Sequence, residues 1–334
     1  MISCYQLTIH LYRDIMISYA MSKLTQINEI PSQETEQEKI AKTVSITGPF
    51  NVQNLNQFKE GQRRSWDSVS KGWQRWWRTF ENGAQNISSR LVELAHAKPG
   101  DKILDIATGI GEPAVTAAKR AGGNGHVLAT DISPQMLTIA KQRRSSLGLE
   151  NIIEIREGDA ETIDLPASTF DAVLCRWGLM YFPNPSGALS NIHRILAPDG
   201  YFAAAVWGVP DKVPFLALPI SIVRQETNAP APAPGTPGPF GFADENLLRN
   251  TFIQAGFKDV YTVHLNAVFE FNSAEDFTRY QQAIAAPVIA MLANENQSRQ
   301  NEIWNKVTEA ARKYSYEGGH VKFINDCICI VGRK

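Results

Sequence analysis

Lys102-Ile-Leu-Asp-Ile-Ala-Thr-Gly-Ile-Gly111 is the stretch that decides the fold. An apolar run delivers the chain into Thr108-Gly-Ile-Gly111, and Glu112-Pro113 follows at once, with a proline suited to the first turn of a helix. Glycines in such a turn adopt dihedrals barred to other residues and let the backbone approach a ligand. The helix N-terminus behind them presents free N–H groups to an anionic or polar ligand end. A lone Gly-x-Gly recurs by chance in many chains, so its meaning rests on what surrounds it.

Outward from this loop, apolar runs and helical patterns alternate as far as residue 208. Strands are predicted at 102–106, 126–130, 152–156, 172–175 and 201–207, and helices at 113–121, 134–146 and 185–196. That alternation spells βαβ units, a parallel sheet with helices on both faces, and right-handed crossovers. Ligands of such sheets sit outside the carboxyl ends of the strands. Asp131 closes the second strand, at the spacing where a carboxylate accepts from ribose hydroxyls. Asp159, in Glu157-Gly-Asp-Ala160, ends the third and can accept from an exocyclic amino group. Phe170-Asp-Ala-Val-Leu-Cys-Arg-Trp177 empties onto the same edge.

A nicotinamide dehydrogenase is the rival reading. The third glycine of its fingerprint is missing, because Glu112-Pro-Ala-Val115 stands there. Asp105, just before the loop, would repel a pyrophosphate and attract a cationic amino-acid group.

In order and spacing, residues 102–208 resemble a class I S-adenosylmethionine (SAM)-dependent methyltransferase of the ubiquinone-biosynthesis-type small-molecule group. The matching segments are Ile103–Gly111, Leu128-Ala-Thr-Asp-Ile-Ser-Pro-Gln-Met136, Glu157-Gly-Asp-Ala-Glu161, Phe170–Cys175 and Arg194-Ile-Leu-Ala-Pro-Asp-Gly200. The resemblance implies a Rossmann-like α/β fold with a seven-stranded, mostly parallel sheet and an antiparallel last strand. Runs at 260–271 and 322–331 suit the two closing strands. It also implies SAM as cofactor. Asp105 and the backbone of Gly109 and Gly111 would surround its methionine part, Asp131 its ribose, Ile132 and Met136 the adenine, and Asp159 with Ala160 the adenine amino group. Ala107 departs from the pattern, standing where the family commonly has the first glycine of the loop.

The methyl acceptor is read more coarsely. Arg176, Trp177, Met180 and Tyr181 follow the fourth strand at the active edge. Arg176 is a candidate for the cofactor site or for holding an acidic acceptor group, with a structural salt bridge as the competing reading. Trp66, Val69, Trp73, Trp76, Trp77 and Phe80 recur at helical spacing, so a helix is expected at 61–80 and a second at 86–97. Trp73 and Trp77 either cap the pocket or simply pack. His193, His264 and His320 fall at no motif, and no catalytic base is assigned. The abundance of Trp, Phe and Leu outside the core suggests an apolar or aromatic small molecule. A SAM-binding chain without methyl transfer is the second reading. A nucleic-acid methyltransferase is a third, disfavoured because no Asn/Asp-Pro-Pro-Tyr/Phe signature follows the fourth strand.

Composition agrees. The 334 residues hold 33 Lys+Arg against 34 Asp+Glu, so no global basic field exists to bind nucleic acid. No run approaches a membrane span. Met1–Ala20 carries Arg13 and Asp14 in its middle, so no targeting segment is expected, and Met16 and Met21 are alternative starts. Cys4 and Cys175 stand alone, while Cys327 and Cys329 share a strand face; without a Cys-x-x-Cys pair, buried hydrophobes are favoured over a zinc site. A reducing, cytoplasmic setting is the expectation. Residues 1–55 read as a polar tail or linker, 56–85 as an amphipathic cap-helix region, and 86–334 as the catalytic domain. Cap insertions are expected at 209–243, where prolines cluster between Pro230 and Pro239, and at 273–320, where helices are expected at 274–292 and 299–313.

Overall fold

The computed structural model describes residues 52–233 and 235–334. Residues 1–51, with Cys4 and most of the expected polar tail, lie outside the described residues. Asn51–Lys334 forms one compact unit.

Its frame is a seven-stranded sheet: β1 (Lys102–Ile106), β2 (His126–Asp131), β3 (Ile153–Glu157), β4 (Phe170–Arg176), β5 (Leu196–Trp207), β6 (Lys258–Phe271) and β7 (Val321–Arg333). The spatial order is β3-β2-β1-β4-β5-β7-β6. β7 runs antiparallel to both β5 and β6, while the other neighbours pair in parallel. β1 and β4 are almost wholly buried, as strands covered on both faces must be. Cys327 to Val331 is buried throughout for the same reason.

The helices of the core are α2 (Ala114–Ala121), α3 (Pro134–Ser146) and α4 (Pro185–Ile195). Ser133 caps α3 by accepting from the Met136 N–H, and Asn184 caps α4 by accepting from Gly187. Pro113 stands just before α2 rather than in its first turn.

Preceding the sheet is α1, one unbroken helix over Val52–Leu94. The expected helices at 61–80 and 86–97 are thus one element. A Cβ on Gly83 would collide with the Val268 carbonyl, and one on Gly72 with the Ala283 carbonyl, so these glycines are where α1 meets β6 and the later helices. α5 (Pro214–Thr227), with Pro219 inside it, lies in the expected 209–243 insertion, where no helix was expected. The expected 274–292 helix is two, α7 (Ala274–Ile284) and α8 (Ala286–Leu292), with Pro287 in the first turn of the second. α6 (Glu245–Gln254) leads into β6, and α9 (Gln297–Ala311) completes the set. α5, α7, α8 and α9 pack on one another and, through α7 and α8, on α1.

Candidate functional site

A cavity opens where β1, β2, β3 and β4 end. One end is walled by the loop after β1. Ala107, Gly109 and Gly111 all take left-handed backbone angles, with φ of 55°, 56° and 104°. For a non-glycine residue this conformation costs about 1–2 kcal/mol. Ala107 fits because Gly178 opposite has no side chain; a Cβ there would stand 2.5 Å from the Ala107 methyl.

Asp105 does not reach the cavity. It is fully buried behind the loop, where its Oδ2 accepts from the Thr108 hydroxyl at 2.5 Å and the Ala114 N–H at 2.9 Å. Burial pushes its pKa up to about 8, against the pull of those hydrogen bonds. Where a place beside the cofactor's cationic end was expected, Asp105 braces the loop through Oδ2, and its Oδ1 has no partner among the described residues. Gly111 is also behind the wall, turned towards Ala140 of α3. Glu112 does line the cavity, although the sequence reading gave it no role. Burial raises its pKa, and the nearby Glu81 charge adds to that.

Asp131 lines the cavity at the end of β2. Its oxygens accept from the Gly109 and Ser133 N–H groups, each at 2.8 Å, which ties the two loops together. Burial raises its pKa to about 6 while these backbone donors oppose the rise. Ile132, Met136, Asp159 and Ala160 line the same end. Asp159 is not free: Lys59 of α1 reaches it at 2.7 Å and Glu161 at 2.6 Å. Gln62 and Trp66 extend the α1 wall, and Trp66 meets Tyr181 edge-on. These α1 contacts escape sequence reading because they join residues a hundred positions apart.

The far end is apolar. Trp177 stacks on Trp207 with centroids 4.2 Å apart, and Phe215, Pro219, Ile220 and Val288 close the chamber. Trp73, Met180 and Tyr181 belong to this cavity too, whereas Trp77 does not. Trp77 instead carries the Arg143 guanidinium on its ring face, 4.6 Å away. Arg176 borders the cavity but its charge is spoken for. It makes a two-pronged pair with Glu81, at 2.6 and 2.8 Å, and donates to Ser88 at 2.8 Å. Burial works against its charge and the Glu81 carboxylate more than offsets it, leaving its pKa raised. Of its competing readings, the structural salt bridge is the one formed. His193, His264 and His320 lie away from the cavity; His264 bridges Asp326 and Glu245 on an exposed face. Among the described residues no cluster suited to a metal ion occurs.

Residues 104–204 match a family model described as a methyltransferase domain. Over those residues the core of this chain is similar to a class I S-adenosylmethionine-dependent methyltransferase domain. A ubiquinone/menaquinone biosynthesis C-methyltransferase of Neisseria meningitidis is 35% identical over 134 residues, 40% of this chain and 50% of that protein. Its counterpart in Coxiella burnetii is 28% identical over 152 residues, 46% of this chain and 57% of that one. The chain thus spans little more than half the length of the curated relatives it matches. Among solved structures, the YcgJ protein of Bacillus subtilis superimposes with a TM-score of 0.50 at 18% identity, covering 75% of this chain and 98% of that one. A phosphoethanolamine N-methyltransferase of Haemonchus contortus, solved with S-adenosylhomocysteine, gives 0.53 at 17% identity over 83% and 60%. At these identities the two share the fold with this chain. No described helix is long and apolar enough to cross a membrane.

Proposed function

We propose that the chain transfers a methyl group from SAM to a small, apolar or aromatic metabolite. One observation carries this reading: a single cavity joins an acidic, loop-lined end to an apolar aromatic chamber. The acidic end suits the cofactor. Four carboxylates line the cavity, Glu112, Asp131, Asp159 and Glu161, against the paired cations Lys59 and Arg176. That balance favours a ligand with net positive charge, as a sulfonium bearing an amino-acid group has.

The Gly109 backbone and Glu112 would receive the amino-acid end, Asp131 the ribose hydroxyls, Ile132 and Met136 the adenine faces, and Asp159 and Ala160 its amino edge. When bound, SAM supplies an electrophilic methyl carbon on sulfur. The chain's own contribution is position: strand ends fix one reactant, and the apolar chamber holds the other in line while excluding water. The cap insertions at 209–243 and 273–320 supply that chamber through α5, α7 and α8. The relatives' names point to carbon as the methylated atom. Cys175, Cys327 and Cys329 are free and buried, in keeping with a reducing, cytoplasmic setting.

Calorimetry with S-adenosylhomocysteine tests the cofactor half, and no binding would remove the reading altogether. Labelled SAM mixed with metabolite extracts tests the rest. Binding without any labelled product would leave a SAM-binding chain that does not transfer methyl.

A further inference from the structure

Pro219 sits inside α5 and has no N–H to give the carbonyl of Phe215, four residues earlier. Gln281 of α7 supplies the missing donor: its Nε2 reaches the Phe215 oxygen at 2.9 Å. Since that carbonyl can only accept, the contact fixes which way the amide faces. Nε2 must point at Phe215, and Oε1 is left over. Among the described residues no donor reaches Oε1. Gln281 is 1% exposed, yet it belongs to the cavity wall.

Oε1 is not among the buried side-chain atoms that lack a partner, so it opens onto the cavity, where a ligand without a donor would strand it at a cost near that of a lost hydrogen bond. The same cavity wall carries Phe215, Pro219, Ile284 and Val288, none with a side-chain donor, while the indole N–H groups of Trp73 and Trp177 have no partner among the described residues. The cations lining the cavity are both neutralised, Arg176 by Glu81 and Lys59 by Asp159 and Glu161. An anionic acceptor would meet no unpaired positive charge.

We propose that Gln281 reads the methyl acceptor, its Oε1 accepting a hydrogen bond from a hydroxyl or N–H on an otherwise apolar, uncharged ring compound. This deepens the methyltransferase reading and rests on it. Gln281 is a specificity residue here, and the Pro219 gap in α5 is what locks it in the receiving orientation.

Two probes that differ only in the donor test it on the full chain saturated with S-adenosylhomocysteine: 2-naphthol and 2-methoxynaphthalene. Binding is followed by quenching of tryptophan fluorescence. 2-Naphthol is expected to bind about tenfold more tightly or better, because the ether has no proton to give. Gln281→Leu should abolish the preference while leaving S-adenosylhomocysteine affinity unchanged. Equal affinity of the two probes for the unaltered chain overturns the proposal, as does failure of 2-naphthol to bind, or a preference that survives in Gln281→Leu. The wild-type comparison decides the matter even where that variant does not fold. Failure of S-adenosylhomocysteine itself to bind sinks the underlying function instead, so the two failures are told apart.

Discussion

Asp131 shows how one carboxylate serves two masters. It holds the Gly109 and Ser133 amides, so it shapes the loop, and burial lifts its pKa to about 6. In the ligand-free chain this raised value has a definite sign. Its stabilising contribution is complete below the unfolded value near 4 and is lost as pH rises through about 6. Ligand binding runs the other way, because ribose hydroxyls donate to the ionised form. S-Adenosylhomocysteine should therefore bind about tenfold more weakly near pH 5 than near pH 7.5. Calorimetry at the two pH values checks this, and the dependence should flatten in Asp131→Asn. A pH-independent affinity would remove Asp131 from the cofactor site. Arg176 invites a different measurement. If its role is the buried pair with Glu81, Glu81→Ala strands a guanidinium and should cost about 3–5 kcal/mol in urea unfolding. An unchanged midpoint would free Arg176 for the acceptor after all.

Among the elements, α1 was the most legible and the most misread. Its tryptophan stripe announces an amphipathic helix, because burial of one face imposes a 3.6-residue period. Its length was not legible, since the stripe ends at Phe80 and nothing in the period says that Gly83 packs on β6. β1, β2 and β4 could be read because strands buried on both faces are apolar nearly throughout, and the edge strand β3 by its alternation of isoleucine with charge. α5 could not, since a helix that tolerates Pro219 depends on Gln281, sixty-two residues on, to satisfy Phe215. The cofactor loop was legible as a motif, yet the burial of Asp105 was not, because a strand pattern does not say which side of a loop a carboxylate takes. Gly83 offers the cleanest check on α1. In an isolated helix alanine beats glycine by about 1 kcal/mol. Here the added Cβ meets the Val268 carbonyl. Gly83→Ala should therefore destabilise by about 1–3 kcal/mol, the range for overpacking. A gain in thermal stability would mean that α1 does not press on β6 as described.

On the scale of the whole molecule, the cavity belongs to no single element: its loop-lined end is made by strand termini, its roof by α1, its apolar chamber by α5, α7 and α8. A ligand filling it must therefore couple parts of the chain that are far apart in sequence. The first turns of α1 are where this coupling is most exposed to test. Lys59 joins them to Asp159 and Glu161, Asp67 accepts from the Ser133 hydroxyl at 2.6 Å, and Trp66 leans on Tyr181. These partly buried polar contacts sit at the end of the helix, away from the sheet core, so this part of α1 should open locally before the sheet does. S-Adenosylhomocysteine at a hundredfold excess over its dissociation constant stabilises the bound state by about 2.7 kcal/mol. If the helix roofs the site, residues 55–68 share that protection, and their amide exchange should slow by up to about a hundredfold alongside the loop at 107–112. Hydrogen-exchange mass spectrometry with and without the ligand reads both segments at once. Protection of the loop with no change over 55–68 would separate α1 from the cofactor seat and leave its tryptophans to packing alone.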